Sequence, residues 1–310
     1  MSGPARPMDL DKLLQGQQLP ALPQSAMRLL EISKDPENGP GEYAVPIEAD
    51  PALAAQVLKF INSSYFGFGR EILSVKLAIS LVGPRAIKNF VLWTAVFSMM
   101  PNPKSGPFDL KCLRQDSLRR GLFTRAFAKT LGFKEAEDLF TAALLQDMAI
   151  PLLAKALPIE YGVLIEARCK RGFALAQLEQ ATFGWTHAEA AARLVGQWNL
   201  PSTFADLIRR HTQIETLVEE APGANGASIV ALSSLLPSAV DSAWSQGAKF
   251  DDYYRRIGGD AAPPAEEVLE AVDHEFLEFA PVLHLETPAA SLADRYRATL
   301  QSLAVAAATN

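Results

Sequence analysis

Apolar residues spaced three and four apart, cut at irregular intervals by proline and glycine, confine this chain to a packed set of helices. Ala26, Leu29, Leu30 and Ser33 recur at helical spacing before Asp35-Pro36 stops them. Asp50-Pro51 opens another helix: the carboxylate can accept from orphan backbone N–H groups, and proline suits the first helical position because it has no N–H to leave unpaired. Leu53, Val57, Leu58 and Ile61 form its stripe, which ends at Asn62-Ser63-Ser64. Val75, Ala78, Ile79 and Val82 make a third stripe, and Gly83-Pro84 separates it from an apolar helix carrying Ile87, Val91 and Ala95. The segment Pro101 to Pro107, with three prolines and a glycine, predicts a boundary between two helical subdomains. Beyond it the spacing predicts helices near 110–131, 138–157, 160–171, 186–198 and 202–217, and a helical tail from Ala265 to Phe279. Thr186-His187-Ala188-Glu189 is a capping box. No segment reads as a sheet, so the expected fold class is all-α.

Composition narrows the function. With 49% hydrophobic and 21% charged residues the chain is globular and not disordered, and a formal net charge of −6 argues against a dedicated nucleic-acid binder. The two cysteines, Cys112 and Cys169, form no CxxC, which fits a reducing compartment. Met1 to Asp9 lacks the apolar core of a signal peptide. The apolar run Phe90 to Met100 is shorter than the roughly 20 residues of a spanning helix. The expectation is a cytoplasmic protein with no membrane insertion. There is no GxGxxG, Walker A, GxSxG or HExxH motif.

Several segments in order carry a resemblance: Leu19-Pro20-Ala21-Leu22-Pro23-Gln24, then Ile47-Glu48-Ala49-Asp50-Pro51-Ala52-Leu53 running into Val57 to Ser63, then Ser74 to Gly83 with its Ala78-Ile79 pair. The stretch Glu179 to Pro201, with Phe183-Gly184, His187 and Trp198-Asn199-Leu200-Pro201, continues it. Together they resemble the HDOD family (HD-related output domain) of bacterial signal transduction, a degenerate relative of the HD and HD-GYP phosphohydrolases. The resemblance implies a leader over 1–18 and an HDOD domain over 19–217. Its N-terminal bundle runs over about 10–105, its degenerate HD-like bundle over 106–217, and a helical C-terminal extension over 218–310. Asn62, Ser63 and Gly83 are expected to be structural.

HD enzymes hold metal with an early His, a His-Asp doublet and a later Asp or His. This chain has no His-Asp dipeptide: Gln146 stands at the doublet's histidine, followed by Asp147, and Asp116 stands at the first ligand. Asp147 follows Ala143 and Leu144, and His211 follows Leu207 and Ile208, at spacings that turn both inward; His187 opens a capped helix. Asp116, Gln146, Asp147, His187 and His211 are therefore expected to form a vestigial polar cluster without metal, cofactor or catalytic role. A remodelled Asp/Asp/His/His metal site is the competing account. Arg119-Arg120, Lys170-Arg171 and Arg209-Arg210 are expected on solvated faces. The resemblance implies regulation through unidentified signalling protein partners, for which Tyr65, Phe66, Phe68 and Arg70 are the candidate surface. A nucleotide-binding regulator, for a cyclic dinucleotide or (p)ppGpp, and a residual metal-dependent phosphohydrolase are the alternatives.

Overall fold

The computed structural model describes residues 8–16 and 21–308, the side chains of Tyr65 and 306–308 apart. Residues 1–7 and 17–18 of the predicted leader, and Leu19-Pro20 of the opening motif, lie outside the described residues. Those described form helices and turns with no strand, as the periodicity predicts. They divide into two compact units: Pro20–Met99 with His274–Thr287, and Met1–Leu19 with Met100–Asp273 and Pro288–Asn310. The division after Met99 falls at the start of the predicted proline-rich boundary.

The first helix, α1 (Leu10–Gln15), corrects the expected start of the N-terminal bundle, because it packs with the HD-like helices. Leu10 and Leu14 are buried, Trp185 Nε1 donates to the Met8 carbonyl at 2.7 Å, and Arg193 pairs with Asp11 at 2.6 Å.

The smaller unit holds α2 (Gln24–Ile32), α3 (Pro40–Glu48), α4 (Pro51–Ile61), α5 (Val75–Val82) and α6 (Pro84–Met99). Asp50 caps α4 as expected, accepting from the Ala52 and Leu53 N–H groups at 3.1 Å. Ile47, Val57, Ile61, Ala78, Ile79, Ile87 and Val96 fill its core. Asn62 then staples the following loop, donating to the Ile72 carbonyl at 2.8 Å and accepting from its N–H at 2.7 Å. Gly83 ends α5 at φ +89, a left-handed backbone that favours glycine.

The larger unit is built on α7 (Leu110–Thr130), which lies along α8 (Ala136–Leu145). Gly121 allows the close approach, since a Cβ there would stand 2.9 Å from the Leu144 side chain. There follow α9 (Ile150–Ala156), α10 (Pro158–Arg171), α11 (Leu175–Phe183), α12 (His187–Gln197), α13 (Ser202–Arg210), α14 (Ile214–Glu220), α15 (Gly226–Ser233), α16 (Gly247–Gly258) and α18 (Leu292–Ala308), while α17 (Ala265–Phe279) belongs to this unit up to Asp273 and to the smaller one from His274.

Two expected helices are broken, and both breaks fall at candidate site residues. The stretch 138–157 pauses between Leu145 and Ile150, because Pro151 has no N–H for the carbonyl of residue 147 and its ring crowds that carbonyl. The stretch 202–217 pauses at His211. The tail after 217 is helical, but α15 is a central helix: Ile229, Val230, Ala231 and Leu232 have no exposed surface, and it packs on α7, α8 and α13. By length and composition 136–156 could cross a membrane, yet 89% of its most apolar window is buried inside the fold, as in a core helix.

Candidate functional site

The turn between α8 and α9 places Asp147, only 4% exposed, where α7, α12 and α13 meet it. The inward direction is the predicted one, although the proline break sets it and not a continuous helix. Arg120 of α7 pairs with Asp147 Oδ2. His187 is the first residue of α12, fixed by the predicted capping box, in which the Thr186 N–H donates to Glu189 Oε2 at 2.8 Å. His211 caps the end of α13, where its ring turns back on the helix.

Second partners set the tautomers of both rings. His187 Nδ1 lies 2.6 Å from Glu179 Oε2, and His211 Nδ1 lies 2.6 Å from the Ile208 carbonyl. A carboxylate and a carbonyl can only accept, so each Nδ1 carries the proton. The Nε2 atom of each ring then faces inward. The two Nε2 atoms are 3.2 Å apart, and Asp147 Oδ1 lies 3.2 Å from that of His187 and 3.6 Å from that of His211. Glu179 has no exposed surface and is itself held: it accepts from the His187 N–H at 2.8 Å and from the Tyr161 hydroxyl at 2.5 Å. Burial, and then the neighbouring His187, hold the His211 imidazole well below its ordinary value. Burial and Glu179 push the Tyr161 phenol well above its own.

The other two expected members stand apart. Asp116 accepts from the Ser238 hydroxyl and, at 2.7 Å, from the Ala239 N–H. Burial raises its carboxyl against the pull of Arg120 and these bonds. Gln146 has no exposed surface and accepts from the Ser233 hydroxyl at 3.3 Å. Asp147, His187 and His211 therefore converge, and Asp116 and Gln146 do not join them. A cavity of about 190 Å³ opens beside the three, lined also by Asp116, Arg120, Arg168, Asp241 and Trp244. Arg168 is fork-paired to Asp241 by two bonds of 2.8 Å; burial alone would lower its guanidinium, and the Asp241 carboxylate more than reverses that.

Sequence reasoning missed Glu179, Tyr161, Arg168, Ser238 and Asp241. Only Glu179, eight residues before His187, stood close enough to a candidate to be suspected. The Arg119-Arg120 pair, expected on a solvated face, is a correction. Arg119 is 3% exposed and the Arg120 side chain 11%, because both guanidiniums meet carboxylates inside their unit, the partly buried Asp273 and the buried Asp147.

The model of the HDOD domain matches residues 19–214. The chain belongs to the HDOD family. An uncharacterised protein of Treponema pallidum (strain Nichols) is 28% identical over 203 residues, 64% of this chain, and the match spans 39% of that relative's own length. Among solved structures, an HDOD domain protein of unknown function from Geobacter sulfurreducens has a TM-score of 0.67 at 19% identity, over 88% of this chain and 95% of its own. A Marinobacter aquaeolei VT8 protein, provisionally described as a signal transduction protein, has a TM-score of 0.65 at 20% identity, over 91% of this chain and 61% of its own. A Shewanella amazonensis SB2B protein, provisionally described as a phosphohydrolase, has a TM-score of 0.68 at 20% identity, over 87% and 97%. At these identities the structures share the HDOD fold with this chain.

The HDOD smaller unit carries the second set of candidates, which divides. Phe66 is half-buried and packs edge-on to Phe60 with ring centres 5.1 Å apart, and Phe68 stacks on Phe66 at 5.9 Å. Arg70 is exposed, and the Tyr65 side chain lies outside the described residues. Next to this loop an apolar row that the sequence did not single out, Leu73, Leu77 and Leu81, faces outward, with Leu73 at 75% exposure.

Proposed function

We propose that this HDOD chain is a non-enzymatic signal-transduction module, which acts by binding partner proteins. The observation that carries this reading is the condition of the two degenerate HD positions. The side-chain oxygen of Gln146 is taken by Ser233, and both oxygens of Asp116 are taken by Ser238 and Ala239. Neither is oriented to complete a hydrolytic metal centre, which needs several converging ligands and an open position for water. The outward row Leu73, Leu77, Leu81 beside Arg70 supports a protein partner, since exposed apolar side chains with an adjacent arginine are the material of interface anchors. The cavity of about 190 Å³ is below the roughly 300 Å³ at which drug-sized ligand pockets begin, which weighs against an enclosed cyclic dinucleotide. The net charge of −6 weighs against nucleic acid as the partner.

A residual phosphohydrolase is the second reading, favoured by the convergence of Asp147, His187 and His211 beside that cavity. Purified protein supplied with manganese, iron(II) or magnesium, and offered cyclic dinucleotides, nucleotides and an aryl phosphate, separates the two. No turnover above background is expected. Turnover that disappears in Asp147→Ala would establish the enzyme instead.

A further inference from the structure

Between α15 and α16 the chain runs without regular structure, and Pro237, Ser238, Val240 and Asp241 of that stretch form one wall of the cavity. Its ends and its middle are held by different forces. Leu236 and Trp244 are buried, and the Trp244 Nε1–H donates to the Leu235 carbonyl at 2.7 Å, which closes the base of the stretch as in an Ω-loop. The Trp244 ring also packs on Phe250, with ring centres 4.9 Å apart. Residues 239–243 between these anchors all keep exposed surface, with Val240 at 42%.

The middle is tied down by polar bonds to three helices of the same unit. Asp116 of α7 accepts from the Ser238 hydroxyl and, at 2.7 Å, from the Ala239 N–H. The Asp241 carboxylate takes the fork of Arg168 on α10, and it also accepts from the Ser238 N–H at 2.8 Å. Arg295 of α18 donates to the Asp241 carbonyl. Water can replace each of these bonds at a small net cost, whereas it cannot replace the apolar burial of Leu236 and Trp244. Release of the middle strands no charge either, since Asp116 and Arg168 stay beside each other and both border the cavity.

We propose that residues 237–243 are a strap that shields the His187–His211 pair from solvent, and that the C-terminal helix α18 holds the strap closed through Arg295. Both histidines border the same cavity as the strap, yet they are only 4% and 1% exposed. Asp116, at the degenerate first-ligand position, is the latch on α7. Tyr296, next to Arg295, lies against Trp244 with ring centres 6.1 Å apart, so a shift of α18 frees the middle of the strap and disturbs its base together. The fold thus has a closed and an open state of the cavity, and a partner that displaces α18 selects the open one. The strap stands or falls separately from the non-enzymatic reading.

Native-state hydrogen exchange on the full chain, followed through low urea concentrations, reads the latch at the Ala239 amide. In wild type this amide is expected to exchange by local opening, with little dependence on urea. Amides in α7 and α8 are expected to follow the steep dependence of global unfolding. Arg295→Gln and Asp241→Asn should each speed exchange at Ala239 by about 10-fold or more, as loss of a charge-assisted bond does, and leave α7 and α8 as they were. Lys170→Gln, on the same helix as Arg168 but paired with the exposed Glu166, should change nothing. Access to the cavity is read by diethyl pyrocarbonate labelling, mapped by mass spectrometry. In Arg295→Gln, labelling of His187 and His211 should quicken by a similar factor, and that of the exposed His274 and His284 should not. The proposal is overturned if the wild-type Ala239 amide exchanges only with global unfolding, or if folded Arg295→Gln exchanges there no faster than wild type. It is equally overturned if the strap opens and the two buried histidines are labelled no faster.

Discussion

His211 is held neutral by where it stands. It is 1% exposed, its Nδ1–H is spent on the Ile208 carbonyl, and burial with the neighbouring His187 keeps its pKa well below the ordinary value. In the unfolded chain the same group titrates near its ordinary value of about 6.5. As pH falls below that value the unfolded chain takes up a proton that the folded one refuses, so the unfolded state binds more protons and stability falls with acidification. In metal-free protein, the urea midpoint of wild type should therefore drop between about pH 7 and pH 5. In His211→Gln, which has nothing to titrate there, it should drop less. Parallel curves for the two proteins would contradict the assignment. The neutral ring was partly legible in the sequence, because His211 follows Leu207 and Ile208 at inward spacing. Glu179, the partner of His187, was not, because that contact joins α11 to α12 around a turn that only tertiary packing fixes.

At the scale of elements, local rules read well wherever a cap or a proline acts on its own neighbours. Asp50-Pro51, the Thr186 to Glu189 box and the tail helix from Ala265 to Phe279 all stand where the sequence placed them. The rules failed where a proline inside a continuous apolar pattern broke the helix, as at Pro151, and where a buried helix had no polar face to betray its position, as in α15. Asn62 shows how a residue after a helix can hold a loop that carries no periodicity of its own. Its amide makes bonds to the Leu58 carbonyl and to both backbone groups of Ile72. Asn62→Ala would strip the Ile72 N–H and carbonyl of these partners, at a cost of about 1–3 kcal/mol. Chemical denaturation measures this, and an unchanged midpoint would show that water replaces the amide without loss.

For the whole molecule, the division of labour was legible only in outline. A boundary near Pro101 to Pro107 was readable, because it is a matter of composition. The assignment of α1 to the larger unit was not, because it rests on the Trp185 and Arg193 contacts made far along the chain. The residues expected to form a partner surface are not equally free to be changed. Phe66 leans on Phe60 and Phe68 leans on Phe66, so truncating them confounds binding with packing. Arg70 and Leu73 are exposed and can be changed with little effect on the core. The direct test of a module that works by binding is the double change Arg70→Glu with Leu73→Glu, followed by circular dichroism, urea denaturation and quantitative recovery of partners from the native cell. The expected result is a native spectrum and midpoint with partner recovery lost. Full recovery by the folded double variant would contradict the proposed binding surface.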